Sequence, residues 1–331
     1  MAVPLLLGVP AAATALYGIY KSVNGVMDQN KASNLNTDAK SMADAANERV
    51  DRQRKDTNAV LEDYGTRKLR AFNGVIADFI ATFGRLKNVD VVNTPELDKL
   101  NLGDFSSVGL QGLKDDYALL KSSGLGLGSG LGGGAALAFG AYNGTMLLAT
   151  ASTGTAISTL SGVTATNATL AWLGGGSIAA GGGGMALGTM VLGAVAIGPA
   201  LAIFGHIVGN KGEEALNNAR SNLEMARTVR DQAEVMFKKL EAIARVSALA
   251  NTTFSKVSSQ LRRAVGDLGR VIDSHGENYQ RMPEEAHEVV MRSVKFAQLL
   301  KAMIDTPILD KDGNLVLSTE KRIAEIATLA P

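Results

Sequence analysis

The residue types that carry most enzyme chemistry are sparse in this chain of 331 residues. Cysteine is absent, which excludes disulfides, thiolate metal sites and a cysteine nucleophile. The three histidines, His206, His275 and His287, lack the spacing of a metal site. His206 lies in an apolar stretch, where a helix end near lipid headgroups is favoured over a proton relay.

Two short motifs look like ligand-binding loops, and both fail on their context. Gly128-x-Gly130-x-x-Gly133 matches a dinucleotide fingerprint, but no strand is predicted before it and no suitably placed acidic residue follows. The stretch 310–320, DKDGNLVLSTE, has its glycine at position four instead of the sixth position of a calcium loop, so it predicts a turn. We therefore predict that the chain is not an enzyme, and that it has no cofactor, no metal and no small-molecule substrate.

The dominant feature of the charge map is a run of 89 residues without Asp, Glu, Lys or Arg. It extends from residue 122 to residue 210, between Lys121 and Lys211. A water-soluble domain carries roughly 25% charged residues, so this uncharged region must be buried in protein or lie in lipid. It also holds 23 of the 37 glycines of the chain. The net charge of +1 gives no indication of a nucleic-acid partner.

Three apolar pieces make up most of the uncharged region: 134–151, 154–173 and 185–209. The last piece is the most apolar, and its ten strongly apolar residues favour insertion into a bilayer by roughly 3–6 kcal/mol. Glycines and Pro199 offset part of that, which predicts a marginal segment that can be held in a soluble form and inserted later. The residues expected to insert are Leu187, Val191, Leu192, Val195, Ile197, Leu201 and Phe204.

Glycines recur at four-residue spacing along the uncharged region. In lipid, helices associate through close backbone packing, which small residues at that spacing allow. The run 174–184 has seven glycines in eleven residues and is expected to supply turns with positive φ between helical segments. The glycines predicted to pack helices in the membrane are Gly126, Gly130, Gly134, Gly140, Gly144, Gly184, Gly188, Gly205 and Gly209.

Hydroxyl and amide side chains are concentrated in the middle piece, 154–173. Such side chains can satisfy backbone carbonyls inside a packed helix, or they can face water in a pore, and the sequence does not separate the two roles. The candidate pore-lining residues are Thr155, Ser158, Thr159, Thr166 and Asn167.

Charged helices are predicted on both sides of the uncharged region. Apolar residues recur every three or four positions from Leu61 to Leu86, which indicates one face of a helix that extends back to about residue 31. A seven-residue repeat from Ala219 to Ile272 indicates packing against another helix. Polar residues interrupt this repeat, so either they fix the register or the helix breaks near Asn251. A further helix is predicted from about Glu284 to Ile304.

The first 20 residues are uncharged and apolar, and they are about long enough to span a bilayer, although Pro4 and Pro10 weaken that reading. The basic start of a signal peptide is missing, so we favour an uncleaved anchor or a helix against the core. The chain thus divides into four predicted regions. They are an apolar N-terminal helix 1–20, a charged helical region 21–121, the glycine-zipper region 122–210, and a C-terminal helical region 211–331 with a small hairpin near 308–316.

Residues 152–202 resemble a glycine-zipper segment that recurs in poorly characterised bacterial membrane proteins, where long charged helices also flank it. The layout of two long helices around an uncharged apolar hairpin is similar to the cytolysin A class of α-helical pore-forming toxins. That resemblance implies a hydrophobic tongue that is sheltered in the soluble form and inserts on assembly. The present chain departs from it in having a longer and far more glycine-rich tongue.

The sequence therefore predicts an all-α fold. A long antiparallel helical bundle or stalk, residues 31–87 and 213–273, is expected to flank a membrane-inserting helical region. The predicted partners are a lipid bilayer and further copies of the chain, and the predicted location is at a membrane, with a soluble form that inserts. The predicted function is to permeabilise a bilayer, as a pore-forming toxin or cell-death effector. The alternative is a permanently membrane-anchored helical scaffold without pore activity.

Overall fold

The computed structural model describes residues 11–89, 110–122, 136, 139–141, 212–310 and 313–330. Nearly all of these residues are helical, and no strand occurs among them. The prediction of an all-α fold is therefore confirmed for this part of the chain. Its α-helices are α1 (Ala11–Ala71), α2 (Ala77–Phe83), α3 (Leu110–Ser122), α4 (Gly212–His275), α5 (Glu284–Asp305) and α6 (Leu317–Leu329).

A π-helical turn, Phe72–Ile76, joins α1 to α2 in one continuous helical stretch. A π turn holds one extra residue, so it changes which side chains face the core. Here it buries Phe72 and Ile76, and α2 continues the apolar face with Phe79. The helix predicted over 31–87 thus begins earlier, at Ala11, and ends a few residues sooner.

α4 spans 64 residues without a break, so the alternative of a break near Asn251 is wrong. Asn251 donates from Nδ2 to Asp63 Oδ2 of α1 at 3.1 Å and to the Val60 carbonyl at 3.3 Å. Ser247 is buried, and its hydroxyl donates to the carbonyl of Ile243 one turn earlier. Ser247 is therefore bonded within α4, whereas Asn251 is bonded across the helix pair and helps to fix its register.

The described residues fall into two compact units. The first contains residues 11–52 of α1 and 212–238 of α4, and the second contains the later parts of these helices with α2, α3, α5 and α6. Alanine dominates the buried positions of the first unit. Its buried alanines are Ala32, Ala39, Ala43, Ala46, Ala219, Ala226 and Ala233. Such small residues bury little apolar area, so polar contacts matter for the choice of partner here.

In the first unit, α1 and α4 run parallel. Asn222 donates to Asn36 at 2.9 Å, and these residues are 186 positions apart in the chain. Arg49 forms an ion pair with Glu234 at 2.6 Å, across 185 positions, and its guanidinium covers the ring of Phe237. A nearly constant separation means that both helices advance in the same direction, because in an antiparallel pair the separation would shrink steadily.

The second unit has the same helix direction. Arg67 donates to Ser255 of α4 across 188 positions, and Arg85 pairs with Asp273, also 188 positions away. A backbone bridge joins Lys87 to Asn278 in the parallel sense. α1 and α2 therefore run parallel to α4 in this unit as well.

The predicted antiparallel arrangement is wrong in both units. A seven-residue repeat shows that a helix has an apolar seam, but it carries no information on the direction of the partner helix. The antiparallel prediction assumed a hairpin-like connection, which short loops impose. Residues 84–211 separate α2 from α4, and a connection of that length permits parallel pairing.

α5 is the most deeply buried helix of the second unit. All nine residues from Phe296 to Ile304 are buried. A helix buried on every side needs neighbours on every side, and α1, α3 and α6 each contact it. After α5, a single antiparallel bridge joins Leu309 to Leu315, and Gly313 has a φ of 75°. This turn lies where the sequence predicts a small hairpin.

The parallel pairing predicts which engineered cysteine pairs will cross-link. Asn36→Cys with Asn222→Cys would supply the only two cysteines of the chain. We expect these two to form a disulfide within one molecule under mild oxidation, because the native side chains are in contact at 2.9 Å. Mobility on a non-reducing gel measures the product.

The matched control is Asn36→Cys with Asp267→Cys, which would be neighbours in an antiparallel pairing of the predicted helices. We expect no cross-link in this control. A disulfide in the control pair and none in the first pair would contradict the parallel arrangement.

Candidate functional site

A buried lysine marks the place where α1, α5 and the start of the uncharged region meet. Lys68 of α1 is fully buried, which is rare for a lysine. It continues the apolar stripe of Leu61, Tyr64 and Phe72 at spacings of three and four. The packing of α1 against the core therefore carries the Lys68 amine inside.

The amine of Lys68 bridges two segments of the chain. Nζ donates to the carbonyl oxygen of Phe139 at 3.1 Å and to that of Ile304 at 3.4 Å. It also lies 4.4 Å from the centroid of the Tyr64 ring and 5.6 Å from that of the Phe139 ring. One side chain of α1 thus ties the end of α5 to the uncharged region.

Tyr64 satisfies the neighbouring carbonyl of α5. Its hydroxyl donates to the carbonyl of Met303 at 3.1 Å, and its ring meets Phe254 of α4 edge-on at 5.8 Å. The last carbonyls of a helix have no partner within the helix, and both Met303 and Ile304 lie in the last turn of α5. Burial raises the pKa of Tyr64, so its hydroxyl stays a neutral donor. Tyr64 and Lys68 together cap the buried end of α5.

A second lysine lies on α5 itself. Lys301 pairs with Asp116 of α3 at 3.0 Å and with Asp305 at 2.6 Å. Burial opposes the charge of Lys301, but hydrogen bonds to the two carboxylates outweigh it and raise the pKa of this lysine. Burial raises the pKa of Asp116, against the attraction of Lys301. This buried ion pair joins α3 to α5.

Burial lowers the pKa of Lys68 to about 7, and the negative charge of Asp305 opposes this shift only in part. The ordinary value for lysine is 10.5, so the unfolded chain binds this proton more tightly than the folded protein. Stability therefore falls as the pH is lowered from about 10.5 to about 7 and stays at the lower level below that.

Two glycines bring the uncharged region into contact with α1. Ala136 and Phe139 are buried in the second unit. A Cβ built on Gly65 would lie 2.7 Å from the backbone nitrogen of Gly140, and a Cβ on Gly140 would lie 2.8 Å from the carbonyl carbon of Leu61. Real Cβ atoms do not approach backbone atoms so closely, so this crossing requires glycine on both sides.

Further contacts hold the same short segment. The carbonyl of Ala141 accepts hydrogen bonds from the backbone N–H groups of Ile308 at 2.8 Å and Leu309 at 2.9 Å, just after α5. The ring of Phe139 stacks on Phe72 of the π turn, with centroids 6.2 Å apart. Ala136, Phe139 and Ala141 of the uncharged region are therefore part of the core of the second unit.

Gly140 is one of the glycines predicted to pack helices, and it lies at a close helix contact inside the protein, against a partner, Gly65, that was not predicted. The other predicted packing glycines lie outside the described residues: Gly126, Gly130, Gly134, Gly144, Gly184, Gly188, Gly205 and Gly209. The predicted inserting residues also lie outside them: Leu187, Val191, Leu192, Val195, Ile197, Leu201 and Phe204. So do the candidate pore-lining residues Thr155, Ser158, Thr159, Thr166 and Asn167. Among the described helices, none combines the length and apolar character that a membrane crossing requires.

The histidines of the described part stand apart from one another. His275 Nδ1 lies 2.8 Å from the Ser274 hydroxyl, and His287 stacks on Tyr279 with its Nε2 2.7 Å from that residue's carbonyl oxygen. No group of three or more His, Asp or Glu in the described ranges could hold a metal ion. His206 lies outside these ranges.

The cluster around Lys68 was not predicted, although the sequence contains signals for it. Lys68 occupies a position in the apolar stripe that a hydrophobic residue would normally fill. Gly65 costs a helix about 1 kcal/mol relative to alanine, which indicates that a backbone approaches there. Lys301 and Asp305 are four residues apart, the spacing of an ion pair on a helix. None of these signals reveals that Lys68 of α1 and the Lys301–Asp305 pair of α5 lie close together in the fold.

Comparison with known proteins gives no match: no protein-family model, no curated protein and no solved structure matches this chain.

The glycine crossing predicts a strong effect of a single methyl group. We expect Gly65→Ala to lower the free energy of unfolding by about 3 kcal/mol or more, because the added Cβ overlaps the backbone of residues 136 and 140. Gly266→Ala on α4 is the control, since open space surrounds that position. The control should gain about 0.5–1 kcal/mol from reduced freedom of the unfolded chain. Urea titration measures both, and equal effects would contradict the close crossing.

The buried amine predicts a pH-dependent effect of Lys68→Met. Methionine removes the group that binds a proton in the unfolded chain. The unfolding free energy of Lys68→Met minus that of the native protein should therefore be largest at about pH 7 and should decrease as the pH rises. We expect the difference in unfolding free energy to shift by about 3 kcal/mol between about pH 7 and pH 9.5. Lys256→Met, at an exposed lysine of α4, is the control and should show no comparable shift. A flat difference for Lys68→Met would contradict the lowered pKa.

Proposed function

We propose that this protein inserts into a lipid bilayer through its uncharged region and its apolar N-terminal segment, assembles there through its glycines, and permeabilises the bilayer. The charged parts of α1 and α4 remain in water in this proposal. Its support comes from the direction of the helix pair and from the residue types of the uncharged region.

The observation that carries the proposal is the parallel register of the first unit. Asn36 contacts Asn222 with a separation of 186 residues. The same separation brings Gly212, the first residue of α4, level with Val26. α1 extends past that level to Ala11. The N-terminal end of α1, which follows residues 1–10, and the first residue of α4, which follows the uncharged region, therefore lie at the same end of the first unit.

A single end that carries both apolar segments is well suited to a bilayer. In an antiparallel hairpin, residues 1–20 would lie at the opposite end from the uncharged region. In the parallel pair, both can enter one membrane surface together. The first charges beyond them, Lys21 and Lys211, are basic, and lysines at the ends of apolar segments reach toward the headgroups.

Assembly and permeabilisation are supported by the composition of the uncharged region. Gly184 and Gly188, and likewise Gly205 and Gly209, have the four-residue spacing that lets helices pack closely in lipid. The hydroxyl-rich piece 154–173 offers side chains that can face water inside a membrane. A close glycine contact of the same kind, Gly65 with Gly140, occurs in the core.

A second candidate is a permanently membrane-anchored scaffold without a pore. The observation that favours it is the attachment of residues 139–141, which are held by α1 and by the turn after α5. While residues 139–141 stay attached, they cannot enter lipid. Insertion of the remaining segments would then anchor the protein without lining a channel.

Flotation of the purified protein with liposomes, together with release of a trapped dye, tests the proposal. We expect the protein to float and to release dye. Val195→Asp places a charge in the most apolar piece at a cost of roughly 2.5–3.5 kcal/mol, comparable to the whole insertion energy of that piece. We expect this variant to lose dye release and much of its flotation.

Ala248→Asp is the matched control, because it adds the same charge at an exposed position of α4 and should behave like the native protein. Flotation of the native protein without dye release would favour the scaffold over the pore. Failure of the native protein to float would contradict both candidates.

A further inference from the structure

We propose that Lys68 and the Gly65–Gly140 contact form a releasable latch, which holds the start of the uncharged region in the core and opens on acidification. The inference rests on the proposed function, since release of this segment has a use only if the uncharged region enters a bilayer. The latch is defined here as Ala136 and residues 139–141, with the groups of α1 and of the turn after α5 that hold them.

Contacts from two separate parts of the chain converge on the latch segment. α1 contributes the Lys68 amine, which donates to the Phe139 carbonyl, and Gly65, which admits the backbone of Gly140. The turn after α5 contributes two backbone N–H groups that donate to the Ala141 carbonyl. Because Ala136 and residues 139–141 belong to the first apolar piece of the uncharged region, their release removes the contacts that hold this piece in the core.

The Lys68 amine is the ionisable group among these contacts. Tyr64 faces it from α1 and is neutral, while Phe139 and Ile304 contribute their carbonyls and an aromatic ring. From α5, the carboxylate of Asp305 favours a proton on Lys68. That carboxylate is already engaged by Lys301.

Two more elements contribute side chains to the neighbourhood of this cluster. α3 contributes Asp116, whose carboxylate pairs with Lys301. α4 contributes Phe254, an apolar ring that reaches the cluster through Tyr64. Burial therefore opposes a positive charge on Lys68, and the carboxylate of Asp305, which favours that charge, is shared with a second lysine.

Protonation of Lys68 and release of the latch favour each other. In the docked state, burial lowers the pKa of Lys68 to about 7, whereas a lysine in water has a pKa of 10.5. Release exposes the amine to water, so the released state binds the proton more tightly. With these two values the released population rises about tenfold as the pH falls from about 8 to about 6, and it changes little below that.

A single cysteine reports release without a membrane, because the native chain has none. Ala136→Cys places a thiol in the latch segment at a buried position. We expect its labelling rate, divided at each pH by that of a small free thiol, to rise about tenfold between pH 8 and pH 6. Ser293→Cys, a near-isosteric change at a buried position of α5, is the control, and its normalised rate should not change.

Lys68→Met tests the role of the amine. In this background the rise in Ala136→Cys labelling should disappear, because no buried group in the latch then takes up a proton. The Ser293→Cys rate in the same background establishes that the core is still folded. A rise that persists in folded Lys68→Met would overturn the assignment of Lys68, and a rate that does not change with pH in the native background would overturn the latch.

Dye release from vesicles of phosphatidylcholine and phosphatidylglycerol separates the latch from the proposed function. We expect faster release at pH 6 than at pH 8 for the native protein, and release that does not change with pH for Lys68→Met. Labelling that rises on acidification without any flotation or dye release would keep the latch and contradict the proposed function. Dye release with pH-independent labelling would support the proposed function and contradict the latch.

Discussion

The buried carbonyl end of α5 is the constraint on which the second unit depends. An unsatisfied carbonyl in a core costs about 1–3 kcal/mol, and α5 is surrounded by protein where its last turn ends. The donors come from α1, through the Tyr64 hydroxyl and the Lys68 amine. These bonds fix the rotation of α1 about its axis and its position along α5. Gly65 then faces Gly140, and the Lys68 amine reaches a second carbonyl at Phe139.

Lys68 supplies hydrogen bonds that the core needs, but its burial destabilises the charged form of the amine. Its two carbonyl partners lie on separate segments, so an apolar residue of the same size would leave both without that donor. Its burial penalises the charged form, which is the form that a lysine adopts in water at neutral pH. A core that needs a donor at this position therefore acquires sensitivity to pH as a by-product. The pKa of Lys301 is shifted in the opposite direction, because two carboxylates stabilise its charge.

The sequence predicts where helices occur far better than how they meet. Periodic apolar residues predict most of the ends of α1, α4 and α5 to within a few residues, because burial of one face imposes that period. Direction leaves no such trace, and the parallel pairing depends on contacts such as Asn36 with Asn222. The seam itself shifts locally: Val229 is buried where the repeat predicts Arg230, which is exposed. The Lys68 cluster arises from five separate stretches of sequence, so no single stretch reveals it.

The parallel pairing has a consequence for the order of events during synthesis. Asn36 cannot contact Asn222 until the ribosome has added 186 further residues. At roughly 5–20 residues per second, this delay is about 10–40 s. Throughout that time α1 has emerged without its partner, and the entire uncharged region leaves the ribosome before α4 begins. The chain therefore presents its apolar segments to chaperones or to a membrane before its longest helix pair can form.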